Sequence, residues 1–456
     1  MPDNNDMTRR EATKAVGAAA VAAPFIQKAL GANNQVQYAV IGTGSRGSYH
    51  ITHLNGIDAG RCVAVCDVDQ TALDKAKKDT RDKPEGYKDY REVLARKDVE
   101  AVIIATPLYM HFPVTRDALE AGKHVFCEKS LVFKPEEIHA LRRLANDRPK
   151  QVLQTGLQRR YSKFYQTAKQ MVDKGLIGKV THVSGQWHRK SLPKTWVPPA
   201  WRAFRKYSGG LTAELASHQI DVADWMIGAH PEMVTGMGGL DVYKDGRDVY
   251  DNIQLIFRYP GGQKLMYSSI CTNNHLPLFG SSRTEFGEII LGTEGTIHIT
   301  VGTDNEPATA MWFYEPGPPK ATPAKGAEKA AVANASLVST GKGGKGLPVL
   351  FDEDKPSDRD SFVQKELKFA KQWLYKKGVM VPEETKNPVD VQLESFFSDC
   401  RTGKRPLADL EVGLEDSANV ILANLAMDEG RRVLMSEMDK MGGGPVKSAA
   451  QPAKKA

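Results

Sequence analysis

Between residues 37 and 155 the chain alternates short apolar runs with stretches in which apolar residues recur at helical spacing. The apolar runs lie at 38–41, 62–66, 101–105, 124–127 and 151–155, and the helical stretches lie near 46–56, 69–79, 89–96 and 111–121. This alternation is typical of βαβ units, in which the strands form a parallel sheet. The sequence therefore predicts an α/β domain over residues 36–156.

After residue 156 the rhythm changes, and longer strand candidates follow one another. They lie at 179–188, 232–239, 252–259, 264–270 and 285–299, with turns such as Pro260-Gly261-Gly262 and Thr293-Glu294-Gly295 between several of them. Helical patterns occur near 162–174, 211–227, 362–376 and 388–400, and the last apolar stripe comprises Leu414, Ala418, Ile421, Leu422 and Leu425. We therefore predict a second α/β domain over 157–434, built on a large, mostly antiparallel open sheet.

The composition is that of an ordinary globular protein. The 456 residues are 41% hydrophobic and 26% charged, which excludes disordered, collagen-like and multi-span membrane proteins. Lysines in 317–346 and after residue 442 account for most of the net charge of +7, so the rest of the chain is close to neutral and predicts no nucleic-acid partner. We expect a flexible insertion over 317–346 and a disordered tail over 442–456.

The N-terminus resembles an export signal over residues 1–32. Arg9, Arg10 and Lys14 precede an apolar run over 15–26 that is too short to span a bilayer, and small residues follow up to Ala32. Paired arginines are typical of the twin-arginine signal, which predicts a periplasmic protein; an amphipathic helix is the alternative. Because the periplasm has no assured supply of free dinucleotide, an exported nucleotide enzyme would be expected to hold its cofactor tightly.

The five cysteines predict neither a metal site nor a disulfide framework. Cys62 and Cys66 are roughly 13 Å apart if they lie on one strand, which is too far for a disulfide. The cysteines are odd in number and lack metal-ligand spacing, and three of them lie in apolar runs. We therefore expect buried free thiols.

A glycine-rich loop, Gly42-Thr43-Gly44-Ser45-Arg46-Gly47, follows the first predicted strand directly. In such a GxGxxG motif Gly42 makes the tight turn, Gly44 allows the backbone to approach a pyrophosphate, and Gly47 lets the following helix pack on the strand. The helix N-terminus then faces the phosphates. This context predicts a dinucleotide site that includes Ser45 and Arg46.

Asp67 ends the second predicted strand, twenty residues after Gly47. A carboxylate at this position can accept hydrogen bonds from the ribose hydroxyls and repels a 2′-phosphate, which favours NAD over NADP. Arg46 keeps NADP open as the less favoured cofactor.

Three further segments resemble the Gfo/Idh/MocA family, named for glucose–fructose oxidoreductase and inositol dehydrogenase. They are Thr106-Pro107-Leu108-Tyr109-Met110-His111, the stretch ending in Glu128-Lys129, and Gly209-Gly210-Leu211-Thr212-Ala213-Glu214-Leu215-Ala216-Ser217-His218-Gln219-Ile220-Asp221. Residues 401–406 and Gly413 resemble the family's C-terminal segment, so the likeness runs from about 36 to 434. It implies a Rossmann domain followed by an α/β domain with a large open sheet, with the substrate between them.

The resemblance also implies roles for individual residues. Lys129 corresponds to the lysine that binds the reacting hydroxyl, His218 to the general acid/base, and Asp221 to the carboxylate associated with that histidine. Thr106, Pro107, His111 and Glu128 join Lys129 on the cofactor side, with a histidine satisfied locally at the helix entry as the alternative for His111. Arg160, Tyr161, Glu214 and Trp201 are the substrate candidates. Ser130, Glu214 and Ala216 depart from the family pattern of Pro, Asp and Gly.

The chemistry of these side chains agrees with hydride transfer. Oxidising a carbinol carbon also requires removal of the hydroxyl proton, which a histidine can accept while an ammonium stabilises the developing alkoxide. On a helix, Glu214 and Asp221 share a face with His218, although a surface cluster that supports the helix would show the same spacing. The loop that contains Trp196, Trp201 and Arg202 is suited to a sugar site, with ordinary loop packing as the alternative.

These observations predict an NAD(P)-dependent oxidoreductase that acts on a hydroxyl carbon of a sugar, glycoside or polyol. A redox-neutral NAD-dependent glycoside hydrolase and a non-catalytic dinucleotide-binding protein are the alternatives. We expect a small carbohydrate as partner, no metal ion, no membrane span and a possible homo-oligomer.

Overall fold

The structure is a computed structural model that describes residues 35–273, 286–300, 309–314, 347–348 and 386–441, with isolated residues between 357 and 384. The predicted signal over 1–32, the insertion over 317–346 and the tail over 442–456 lie outside the described residues. Most of the helix expected at 362–376 also lies outside them.

The N-terminal part of the chain forms a six-stranded parallel sheet in the order β3-β2-β1-β4-β5-β6. Its strands are β1 (Val36–Ile41), β2 (Gly60–Cys66), β3 (Glu85–Tyr87), β4 (Ala101–Ile104), β5 (His124–Cys127) and β6 (Leu153–Thr155). The helices are α1 (Ser45–Leu54), α2 (Gln70–Asp79), α3 (Tyr90–Ala95), α4 (His111–Glu120) and α5 (Pro135–Asn146). This strand order is that of a doubly wound Rossmann fold, as the sequence predicts.

The central strand β4 of this sheet is apolar at every position because helices cover both faces. All four residues of β4, from Ala101 to Ile104, are completely buried. Two of the surrounding helices begin at aspartates that accept a backbone N–H, Asp69 at α2 and Asp89 at α3. The parallel strands consequently all end at one edge, where β1 continues into the glycine loop.

The second sheet has nine strands in the order β14-β13-β12-β11-β7-β10-β9-β8-β15. They are β7 (Val180–His188), β8 (Met233–Gly239), β9 (Asn252–Arg258), β10 (Lys264–Ile270), β11 (Phe286–Gly292), β12 (Gly295–Thr300), β13 (Thr309–Tyr314), β14 (Leu347–Pro348) and β15 (Val433–Leu434). Among the strands that the structure describes in this sheet, only the pair of β7 and β10 is parallel. The prediction of a mostly antiparallel sheet is thus confirmed.

One face of this second sheet is packed against helices. In β9 the residues Ile253, Leu255 and Phe257 are buried, whereas Gln254 and Ile256 between them are exposed. The accompanying helices are α6 (Lys163–Asp173), α7 (Arg205–Ser208), α8 (Ser217–Ile227), α10 (Leu410–Glu429) and α11 (Glu437–Met441). The alternating burial is that of a sheet with one covered face.

A helix from the far end of the chain, α9 (Pro388–Thr402), packs on the N-terminal sheet. Leu393, Phe396 and Phe397 are buried in the same apolar cluster as Val36 and Tyr38 of β1. The Phe397 ring lies 5.0 Å from the Tyr38 ring between centroids. Residues 388–402 belong by sequence to the segment predicted as the second domain, yet their apolar face completes the core of the first sheet.

The described cysteines are all free thiols, and four of the five are buried, as the sequence predicts. Cys400, on α9, is partly exposed. Within the described ranges no helix has the length and apolarity that a membrane span requires.

Replacement of Phe397 by alanine is expected to lower the free energy of unfolding by about 3–5 kcal/mol, because a buried ring is lost where the chain cannot collapse around the space. Ser398→Ala is the matched control on the exposed side of α9 and should change stability by less than about 0.5 kcal/mol. Equilibrium denaturation of both variants tests this. Equal stability of the two would show that α9 does not support the N-terminal sheet.

Candidate active site

The glycine loop between β1 and α1 leaves no room for side chains at its two ends. Gly42 has a φ of +86°, and a Cβ there would lie 2.7 Å from the backbone of Ala105. A Cβ on Gly47 would lie 1.9 Å from the carbonyl oxygen of Gly42. Both positions therefore require glycine, the first for its turn and the second for close packing of α1 on the loop.

Gly44 differs from these two because no atom lies within 4 Å of the position that its Cβ would take. It is the N-cap of α1, and this helix end has no side-chain cap and no acidic residue in its first turn. Free N–H groups and the positive end of the helix dipole consequently border an open space. This arrangement fits the pyrophosphate of a dinucleotide.

Asp67 lies at the end of β2, beside the loop, and orders it. One oxygen accepts the backbone N–H of Thr43 at 2.7 Å, and the other accepts the N–H of Asp69 at 2.9 Å. A carboxylate has about four acceptor positions, so the capacity to bind ribose hydroxyls remains.

Glu128, at the end of β5, interacts with two side chains of α1. Its Oε1 lies 2.6 Å from Nε of Arg46 and 2.7 Å from Nε2 of the fully buried His50. Burial acts to raise the pKa of Glu128, but the Arg46 guanidinium and His50 outweigh it and hold the pKa below its usual range. The carboxylate therefore stays ionised and fixes Arg46 across the cavity.

Lys129 points from the N-terminal sheet to the segment before α8. Its Nζ donates to the carbonyl oxygen of Glu214 at 2.7 Å and lies 3.4 Å from that of Ala213. These carbonyls belong to a short π-helix, Thr212–Ala216, which continues directly into α8. Burial lowers the pKa of Lys129, while the carboxylates of Glu214 and Glu128 oppose that shift.

His218, in the first turn of α8, is buried beside Lys129. Its Nδ1 has no hydrogen-bond partner among the described residues, and its ring stacks on Trp187 at 5.9 Å between centroids. Burial, and then the positive charges of Lys129 and Arg159, hold the pKa of His218 well below 6.5. The imidazole is therefore neutral at physiological pH and can accept a proton.

A cavity of about 500 Å³ joins these groups. Of the predicted site residues, it is lined by Ser45, Arg46, Thr106, His111, Glu128, Lys129, Trp201, Glu214 and His218. Cofactor and catalytic candidates that are far apart in sequence thus face one space. Gly42, Gly44, Gly47, Asp67 and Pro107 do not line it.

Three of the predicted catalytic and substrate residues, Arg160, Tyr161 and Asp221, do not line this cavity either. Arg160 donates to Asp221 at 2.8 Å through Nε, so the Asp221 carboxylate is engaged by this guanidinium, and no hydrogen bond joins it to His218. Burial raises the pKa of Asp221, and the Arg160 charge opposes that effect. Tyr161 is buried in a small cluster with Leu157 and its hydroxyl faces the backbone N–H of Ala408. Ion pairing engages the Arg160 side chain and packing engages that of Tyr161, so neither borders the cavity, and their substrate roles stay predictions.

The His111 ring contacts the backbone of the two loops that follow β4 and β5. Its ring nitrogens lie 2.8 Å from the carbonyl oxygen of Ser130 and 3.0 Å from that of Thr106. Burial lowers the pKa of this histidine, so one nitrogen at a time carries a proton. His111 thus holds together two loops that border the cavity.

Sequence reasoning missed the buried partners of the site. His50 follows Arg46 by one helical turn, a spacing that could have suggested a shared target. Arg159 forms an ion pair with Glu288, which also accepts the Tyr165 hydroxyl, and these groups lie behind Trp187. No local pattern links Arg159 to a strand about 130 residues later.

No metal-binding cluster of three or more His, Cys, Asp or Glu occurs in the part of the chain that the structure describes.

The protonation of His218 and His230 should differ in a titration followed by NMR. The hydrogen bond to Asp224 raises the pKa of His230, whereas burial lowers that of His218, so their midpoints are expected on opposite sides of 6.5. Resonances would be assigned with His218→Gln and His230→Gln. His218 has a lower pKa in the folded chain than in the unfolded chain, where it is near 6.5. As the pH falls below about 6.5, the unfolded chain therefore binds a proton at His218 before the folded chain does, and the free energy of unfolding decreases. A midpoint for His218 at or above 6.5 would contradict the neutral imidazole.

Two family models match this chain in succession. Residues 36–156 match the oxidoreductase family with an NAD-binding Rossmann fold, and residues 165–298 match the GFO/IDH/MocA C-terminal domain. Together the two matched segments cover more than half of the chain.

Curated relatives and solved structures agree with this match. The chain is 34% identical over 194 residues to the inositol 2-dehydrogenase of Salmonella typhimurium, an alignment that covers 41% of this chain and 53% of that protein. It is 28% identical over 270 residues to the scyllo-inositol 2-dehydrogenase (NAD(+)) of Bacillus subtilis, covering 58% and 74%. The chain thus spans about half the length of the first relative.

The fold is similar to that of the scyllo-inositol dehydrogenase from Lactobacillus casei with bound cofactor NAD(H) and scyllo-inositol. The TM-score is 0.62 at 19% identity, over 88% of this chain and 99% of that one. The N-terminal part has the NAD-binding Rossmann fold of this family, and the segment after it matches the family's C-terminal domain. The chain therefore belongs to the Gfo/Idh/MocA family of oxidoreductases.

Proposed function

We propose that this chain is an NAD(P)-dependent oxidoreductase acting on a hydroxyl carbon of a sugar or polyol. The observation that carries the proposal is the cavity in which the Lys129 ammonium and the neutral His218 imidazole face residues of the glycine loop. The named relatives are inositol dehydrogenases, which supports a polyhydroxylated substrate. Nothing comparable supports redox-neutral glycoside hydrolysis, which we do not propose.

When bound, a nicotinamide cofactor supplies the capacity to accept or return a hydride. Gly44, Ser45 and the first turn of α1 would hold its pyrophosphate, and Asp67 its ribose. The residues of this chain then have to bind the hydroxyl and manage its proton.

Lys129 is placed to bind the reacting hydroxyl. Its ammonium is held by two carbonyl oxygens, which fix its position without neutralising its charge. An ammonium in a partly buried cavity stabilises negative charge that develops on the substrate oxygen. His218, neutral and adjacent, accepts the hydroxyl proton during oxidation and returns it during reduction.

For the cofactor we propose NAD in preference to NADP, held tightly. Asp67 places a negative charge at the end of β2, where a 2′-phosphate would be repelled. Arg46 is engaged by Glu128 at 2.6 Å, which reduces its availability for a 2′-phosphate.

Replacing either catalytic side chain should abolish turnover. Purified protein and its Lys129→Met and His218→Gln variants would be assayed for NADH and NADPH formation with inositols and common sugars. We expect kcat/KM to fall by about 100- to 10,000-fold in each variant, because proton transfer or charge stabilisation is lost. NADH binding, followed by fluorescence, should persist in His218→Gln.

His182→Gln is the matched control, since His182 lies on β7 and does not line the cavity. It should retain the parental kcat/KM. Activity that survives in both Lys129→Met and His218→Gln would refute the assigned roles. Protein that binds NADH but oxidises no sugar or polyol would refute the function itself.

We also propose that the segment over 1–32 directs twin-arginine export to the periplasm. The paired Arg9 and Arg10 before an apolar run support this. In a bacterium with this pathway, the full chain should be recovered in the periplasmic fraction, and Arg9→Lys combined with Arg10→Lys should keep it in the cytoplasm. Equal distribution of both forms would refute the proposal.

A further inference from the structure

One wall of the cavity is built from three tryptophans, Trp187, Trp196 and Trp201, which we call the aromatic wall. Trp187 lies near the end of β7, and the other two lie in the loop that leads to α7. Arginines accompany them: the guanidinium of Arg189 lies 5.4 Å from the Trp187 ring and 5.7 Å from the Trp196 ring, and that of Arg202 lies 4.2 Å from Trp201. Three indoles therefore border the same cavity as Lys129 and His218.

The loop that presents Trp196 and Trp201 is ordered by its own hydrogen bonds. The backbone N–H of Trp196 donates to Pro193 at 2.8 Å, and the Trp201 carbonyl accepts from Phe204 at 3.1 Å. The backbone N–H of Leu192 donates to the Tyr243 hydroxyl at 3.2 Å. A wall fixed in this way loses little conformational entropy when a ligand binds.

The aromatic wall meets the catalytic groups at two places. Trp187 stacks on His218 at an interplanar angle of 27°. On the other side, Arg202 lies 3.3 Å from the carboxylate of Glu214, whose carbonyl oxygen holds Lys129. Trp201, in contact with Arg202, is therefore connected to Lys129 through Arg202 and Glu214.

Aromatic faces suit the apolar side of a ring ligand. The negative face of an indole attracts the weakly positive C–H groups on one side of a sugar ring, and it stacks equally on an aryl group. Pockets for such ligands combine aromatic surface with a few polar groups that fix orientation, which here are Arg202 and Glu214. In the proposed function, Lys129 and His218 contact the ring that is oxidised. Trp196 and Trp201 then remain as aromatic surface for a second ring of the ligand.

We propose that the substrate is a glycoside, in which one sugar ring is oxidised beside Lys129 and His218 while its second ring packs against Trp196 and Trp201. This inference rests on the proposed oxidoreductase function and narrows its substrate class. The second ring is either another sugar or an aryl group, and both present a flat face of the same kind.

The test compares each free sugar with its own glycosides in the full-length protein. Glucose, galactose and xylose would be assayed beside their phenyl glycosides and matching disaccharides, with NADH formation as the readout. We expect the parental protein to prefer the better glycoside over the free sugar by about tenfold or more in kcat/KM. In Trp201→Ala this ratio should fall at least severalfold, and Trp201→Phe should restore most of it.

Trp225→Phe is the control, since the Trp225 ring packs under Arg160 and does not line the cavity. Its glycoside preference should match that of the parent. Free sugars used as well as glycosides, or a preference unchanged in Trp201→Ala, would overturn the glycoside inference and leave the oxidoreductase function standing. Absence of NADH formation with every sugar, glycoside and inositol would overturn both. Preference for phenyl glycosides over disaccharides would identify the second ring as aryl, and the reverse would identify it as a sugar.

Discussion

The site depends on the hydrogen bonds between the Lys129 ammonium and the carbonyl oxygens of the π-helix before α8. They join the end of a parallel strand to the start of the helix that contains His218. A π-helix is rare and tends to occur at functional sites, because its wider turn changes how backbone groups are presented. Here two such carbonyls fix the Lys129 ammonium at the edge of the cavity.

Burial then decides the charge states within the cavity. Removal from water disfavours the charged forms of Lys129 and His218, and the nearby guanidinium groups act in the same direction. Glu128 and Glu214 oppose this for Lys129, so the ammonium and the neutral imidazole can coexist at close range. This is the combination that hydroxyl oxidation requires, with one group that holds negative charge and one that accepts a proton.

The sequence predicted the fold well where local signals are strong. The strand at His124–Cys127 and the strand at Lys264–Ile270 have the expected bounds, since apolar runs and turn residues delimit them. The short β3 is not predicted from the sequence, because three residues at a sheet edge give little periodicity. The helix α5 is not predicted either, although Pro135 at the start and the acidic Glu136 and Glu137 in the first turn are start signals.

Within the site, motifs located Lys129, His218 and the glycine loop, but they could not distinguish residues that face the cavity from neighbours that face the core. Arg160 and Tyr161 illustrate this limit. The family resemblance implies positions in the substrate cleft for both, whereas the partners that they contact, Asp221 and Ala408, lie about 60 and 250 residues further along. Only the tertiary structure specifies such pairs.

The return of α9 to the first sheet has a consequence for how the chain becomes folded during synthesis. Phe396 and Phe397 cover apolar surface of β1, yet more than 300 residues separate them from it. As the N-terminal half leaves the ribosome, that surface has no cover until α9 emerges, so the sheet stays exposed to chaperones and to self-association for most of translation. The core of the nucleotide-binding half is therefore completed late in folding, although most of its sequence is translated early.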